Sequence, residues 1–136
     1  MSVVLQTRPA PAAPTTRVRA AGLPVQYEHS GPPGDTPPGL QLVIFRLIQE
    51  ALTNTMKHAG PDANATVRLR LEPGEIRVEI EDDGAGSSGV PSAPGGGLTG
   101  MAERIGAYGG ELTCGPRRPR GWRVTARLDP GTAVPP

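Results

Sequence analysis

The run Gln49-Glu50-Ala51-Leu52-Thr53-Asn54-Thr55-Met56-Lys57-His58 closes an apolar-periodic segment and carries an acid, an amide and two basic groups along one edge. At about 100° per residue, Ile44, Leu47, Ile48, Ala51, Leu52 and Thr55 gather on one arc of a helix, while Glu50, Asn54, Lys57 and His58 share the neighbouring arc. A helix built this way borders a core on one side and a polar cleft on the other. An ordinary amphipathic helix with a solvated edge would show the same pattern, so the segment takes its meaning from what surrounds it.

Upstream, Leu23, Val25 and Tyr27 alternate with Gln26 and Glu28 as in a strand, and the Pro/Gly cluster from Gly31 to Gly39 precedes the helix. Downstream, Val67, Leu69 and Leu71 alternate with Arg68 and Arg70. Glu72-Pro73-Gly74-Glu75 makes a turn, and Ile76, Val78 and Ile80 alternate with Arg77, Glu79 and Glu81. The pattern predicts a hairpin with one apolar face and a ladder of opposite charges on the other. Gly86 to Gly97 reads as a loop, Leu98 to Tyr108 as a second helix stopped by Gly109-Gly110, and Trp122, Val124, Ala126 and Leu128 as a last strand. One-sided strands with a few helices predict an α+β fold: a two-layer sandwich, its mixed and mostly antiparallel sheet packed on about three helices.

The chain has 136 residues, enough for one core and too few for two ordinary domains. We expect tails at residues 1–17 and 130–136, both rich in Pro without hydrophobic period, around a folded unit at 18–129. With 14 Lys+Arg against 13 Asp+Glu, a formal +1, no bulk charge draws the chain to nucleic acid or membrane. Lys57 is the only lysine. The single Cys114 rules out an internal disulfide and, with 2 His, leaves no dedicated zinc site of standard ligand count. No apolar run reaches the roughly 18 residues of a membrane span. The expected setting is a reducing cytoplasm.

Three groups of residues carry chemistry. Asp82-Asp83-Gly84-Ala85-Gly86 ends the second hairpin strand, and Asp82 continues the inward parity of Ile76, Val78 and Ile80. A carboxylate facing an apolar layer costs several kcal/mol without donors, so Asp82 is expected to await a ligand or an ordered water, and an adenine amino group is a fitting donor. Gly84 and Gly86 would let a flat ring approach, although a plain Asp-Gly turn looks the same. Gly95-Gly96-Gly97-Leu98-Thr99-Gly100 opens the second helix, where exposed amides suit phosphate. A Ser/Pro-rich loop precedes it in place of a strand and no lysine follows its glycines, which disfavours a dinucleotide fold and a Walker loop; a flexible linker remains open. In the helix, Asn54 offers the single oxygen that a magnesium ion completing its shell with water and phosphate would need. Glu50, one turn earlier, could orient a water or accept a proton. Lys57 and His58 could face phosphate or simply solvate a helix end.

In this order and spacing the segments resemble the ATP-binding catalytic domain of sensor histidine kinases, in the ATPase superfamily shared with gyrase, MutL and the Hsp-ninety chaperones. Gln49–Ala59 looks like the N box, Asp82–Gly86 like the first glycine box and Gly95–Met101 like the second. The wording is most similar to the nitrate-sensor and lipid-fluidity-sensor branch. The resemblance spans about Ala20 to Leu128 and implies a Bergerat-type sandwich. In it Asp82 binds the adenine amine, Gly84 and Gly86 border the ring, Asn54 holds Mg2+ and Glu50 occupies the general-base position. Gly95, Gly97 and Gly100 bound a lid, with Leu98 and Thr99 at the nucleotide and Lys57 and His58 facing its phosphates. It further implies transfer of the γ-phosphoryl of ATP to a histidine on a separate dimerisation domain, a response regulator as the next acceptor, and a cytoplasmic location, free or as part of a membrane-bound kinase. The phosphoacceptor helix pair of the family is not expected within residues 1–19, which hold no histidine, and His29 is a poor substitute. An anti-sigma-type serine kinase and a nucleotide sensor without transfer are the alternative readings.

Overall fold

The computed structural model describes residues 22–31, 38–60, 62–72, 74–84 and 97–129. The elements run β1 (Val25–Ser30), α1 (Pro38–His58), β2 (Ala65–Glu72), β3 (Glu75–Asp82), α2 (Gly97–Ala107), β4 (Glu111–Pro116) and β5 (Trp122–Leu128). The five strands form one mixed sheet in the order β1-β2-β3-β5-β4. Only β1 and β2 are parallel, as their connection through α1 requires, because parallel neighbours need a crossover. The β2–β3, β3–β5 and β4–β5 pairs are antiparallel. Two helices are described where the pattern predicted about three.

The period of α1 decides the layers. Leu40, Val43, Ile44, Leu47, Ile48, Ala51 and Leu52 are all buried, and they join Val67, Ile76, Val78, Ile80, Val124, Ala126 and Leu128 of the sheet and Met101 and Ile105 of α2 in one core. Both helices lie on that face. The other face carries the charged residues, with Arg68 opposite Glu79 and paired to it at 3.2 Å. The ladder of opposite charges holds only in part, since Arg70 stands opposite Arg77 and Arg77 opposite Arg127. Arg127 finds Glu111 across β4 at 2.7 Å.

The hairpin of β2 and β3 and the last strand follow the predicted alternation, and α2 begins and ends one residue before its predicted limits. β4 was not foreseen. Its residues are exposed or half-buried at the sheet edge, so they show no apolar alternation, and their pairing with β5 defines the strand. The predicted tails at 1–17 and 130–136 lie outside the described residues. No helix among the described residues is long and apolar enough to cross a membrane.

Candidate functional site

The polar edge of α1 and the end of β3 meet at Asp82. Strand β3 continues its inward parity through Asp82, which pairs across the sheet with Ala65 on one side and Trp122 on the other. Asp82 as a whole is 6% exposed. Sequence reasoning expected it to await a donor, and the protein supplies two. The Gly84 amide donates to Oδ1 at 2.9 Å, and the Thr55 hydroxyl lies 3.3 Å from Oδ2. That hydroxyl also lies 3.2 Å from the Ala51 carbonyl one turn back. A hydroxyl has one proton, so Thr55 divides it between a helix carbonyl and the acid. An ionised carboxylate has about four lone-pair sites, and Asp82 therefore keeps acceptor capacity in a place where water is scarce.

Gly84 has no alternative residue of larger size. A Cβ there would overlap the Ala59 carbonyl and sit 2.6 Å from the Ala59 Cβ, so the chain leaving β3 passes directly against the end of α1. Asp83 turns outward and accepts from the Asn64 backbone amide at 2.7 Å and from its side chain at 3.4 Å. The Asn64 amide is the main reason that the Asp83 carboxyl stays below the ordinary aspartate range.

Around this point the predicted residues divide. Glu50 and Asn54 are half-buried one turn apart on α1, whereas Lys57 and His58 are exposed in its last turn. Gly97, Leu98 and Thr99 form the first turn of α2, and Gly100 is exposed just behind them. Gly86 and Gly95 lie outside the described residues. His29 is half-buried within β1 opposite Leu69. Among the described residues no group of three or more His, Cys, Asp or Glu could hold a metal ion.

Two participants were not anticipated. Thr55 was assigned only to the apolar arc, and its hydroxyl on a core-facing position was the available signal. Glu81, a member of the predicted ladder of opposite charges, is 8% exposed and receives Arg117 at 2.8 Å, Arg68 at 3.1 Å and Arg123 at 3.3 Å. Burial pushes its carboxyl up, but Arg68, Arg117 and Arg123 together outweigh that push, so Glu81 ionises below the ordinary glutamate range. A carboxyl with a lowered folded-state pKa contributes its stability above the unfolded value and loses it as pH falls through the folded one. Glu81→Gln should therefore cost about 1.5–3 kcal/mol at neutral pH. The gap from wild type in urea melts should close as the pH drops through and below the glutamate range; a gap independent of pH would show that the charge is not the cause.

Residues 39–132 match the family model described as histidine kinase-, DNA gyrase B- and HSP90-like ATPase. The sensor histidine kinase LnrJ of Bacillus subtilis (strain 168) is 34% identical over 108 residues, covering 79% of this chain and 26% of that protein. YxjM, a sensor histidine kinase of the same organism, is 35% identical over 109 residues, again 79% of this chain and 26% of that protein. The chain thus spans about a quarter of the length of these relatives. Among solved structures, the catalytic domain of histidine kinase ThkA superposes with a TM-score of 0.69 at 14% identity, covering 88% of this chain and 87% of that one. That likeness concerns the fold.

Proposed function

This chain belongs to the histidine kinase-, DNA gyrase B- and HSP90-like ATPase family, as an ATP-binding catalytic domain of the sensor-histidine-kinase type, and on that premise we propose that it binds Mg-ATP and passes the γ-phosphoryl to a histidine on a dimerisation domain. The observation that carries the reading is the buried Asp82 carboxylate, which keeps free acceptor sites between Gly84 and the end of α1. In this role it accepts from the adenine amine while Gly84 and Gly86 admit the ring. Gly97 and Gly100, with Leu98 and Thr99, border the phosphates at the start of α2, Gly95 belongs to the same phosphate-binding group by its motif, and Lys57 and His58 face the phosphate charge.

The donor set fits a magnesium ion carried in with the nucleotide. Asn54 supplies one neutral oxygen, the described residues around it offer no acidic cage, and phosphates and water would complete the shell. Such an ion would neutralise charge on the transferring phosphoryl. Glu50 accepts the proton that the attacking imidazole loses as the new P–N bond forms and ADP departs. The resulting phosphohistidine would pass its phosphoryl to an aspartate of a response regulator.

Incubation of the chain with ATP and a separate histidine-bearing helical domain tests this, with acid-labile phosphate on that domain as the expected product. Acid-stable phosphate would favour serine transfer, and no phosphate under any pairing would sink the proposal. For the metal, Asn54→Ala should weaken ATP binding about tenfold or more with magnesium and much less in EDTA. Equal losses in the two titrations would make Asn54 a structural residue.

A further inference from the structure

The hairpin turn between β4 and β5, residues 117–121, is folded against the end of β3. Its sequence, Arg117-Arg118-Pro119-Arg120-Gly121, is unusually basic for a turn, and two of the guanidiniums point back into the protein. Arg117 Nη1 donates to the Asp82 carbonyl at 3.3 Å and to the Arg120 carbonyl at 3.2 Å, while its Nε pairs with Glu81 at 2.8 Å. Arg120 Nε donates to the Asp83 carbonyl at 2.9 Å. The turn is closed by the Arg117 amide on the Gly121 carbonyl at 2.9 Å. Gly121 has φ +109, and a Cβ there would overlap the Asp82 carbonyl. Only glycine lets the turn come this close.

Resting on the reading of Asp82 as the adenine acceptor, we propose that Arg117 and Arg120 are positioning residues that fix the Asp82 carboxylate by holding the backbone of Asp82 and Asp83. Strand β3 ends at Asp82, and carbonyls where a ladder stops need partners from elsewhere. Here the partners are two side chains from a different hairpin, one anchored on a buried carboxylate. A backbone held at the carbonyls of two consecutive residues, with the side chain before them clamped as well, fixes the direction of the Asp82 Cα–Cβ bond, so that the Gly84 amide and the Thr55 hydroxyl meet the carboxylate in one placement. The turn thereby acts on the adenine end of the site without touching nucleotide.

Calorimetric titration with magnesium tests this, using ATP and purine riboside triphosphate, which lacks the 6-amino group that Asp82 would accept from. The wild type, Arg117→Gln and Arg120→Gln are compared, with thermal melts to confirm folding. Each substitution should weaken ATP by about three- to tenfold and leave the analogue unchanged, so that the preference for the amine shrinks. Equal losses for both nucleotides would reduce the arginines to general supports and overturn the proposal, as would unchanged ATP affinity in folded Arg120→Gln. That variant decides the matter if Arg117→Gln fails to fold, because Arg120 is exposed and reaches the Asp83 carbonyl from the surface, without the buried Glu81 pair that anchors Arg117. A wild type indifferent to the 6-amino group would instead refute the adenine role of Asp82, before any arginine variant is considered, and the positioning role would fall with it.

Discussion

ATP should bind this domain about a thousandfold more tightly than GTP, and Asp82→Asn should erase most of that difference. The expectation follows from what surrounds the carboxylate. Asp82 is almost fully buried, one oxygen takes the Gly84 amide, and the other shares a single Thr55 proton with the Ala51 carbonyl. In its proposed role the remaining lone pairs meet the 6-position of the purine. An adenine amine supplies a proton there, whereas guanine presents a carbonyl, which sets acceptor against acceptor beside a carboxylate with little access to solvent. Leaving buried acceptors unpaired costs about 1–3 kcal/mol each, more when one is charged, and two such groups face each other in the GTP complex. An asparagine could turn its NH2 toward the guanine carbonyl, so the variant should lose ATP affinity and gain GTP affinity. Calorimetry with both nucleotides decides it, and comparable wild-type affinities for ATP and GTP would remove Asp82 from the adenine site.

The second large effect concerns Glu50. Replacing it by glutamine keeps the volume and the half-buried position on α1 while removing the capacity to take a proton. General-base catalysis contributes about 10²–10⁴-fold, so phosphotransfer to a histidine-bearing domain supplied in trans should slow by that factor, with ATP affinity nearly unchanged. The separation of the two readouts is the point of the experiment. A variant that transfers at the wild-type rate would show that Glu50 is not the base, and one that loses ATP binding in proportion would make it a nucleotide contact.

Much of this arrangement was readable along the chain because it is local. The arc of Ile44, Leu47, Ile48, Ala51 and Leu52 is a property of one helix, and all five are buried as the period requires. The inward direction of Asp82 follows from alternation within one strand, since Ile76, Val78 and Ile80 are buried with it. Thr55 illustrates the limit. Its place on the core-facing arc was legible, but its contact with Asp82 joins residues 27 apart in sequence, and no pattern of period 2 or 3.6 encodes such a meeting. β4 was missed for a related reason: an edge strand with little to bury carries little alternation, and its identity depends on the β5 backbone beside it.

The helix and strand periods, the side on which each element buries its apolar residues, and the order of the three polar segments follow from the order of residues along the chain, because these rest on interactions within about a turn or a strand. The tertiary structure alone decided that β5 enters between β3 and β4, that Thr55 divides its proton with Asp82, and that Glu81 collects three guanidiniums. It alone brought Arg117 and Arg120 of the 117–121 turn onto the carbonyls of Asp82 and Asp83. Those facts depend on which distant segments become neighbours, and that is settled by the packing of the whole core, not by the periodicity of any one element.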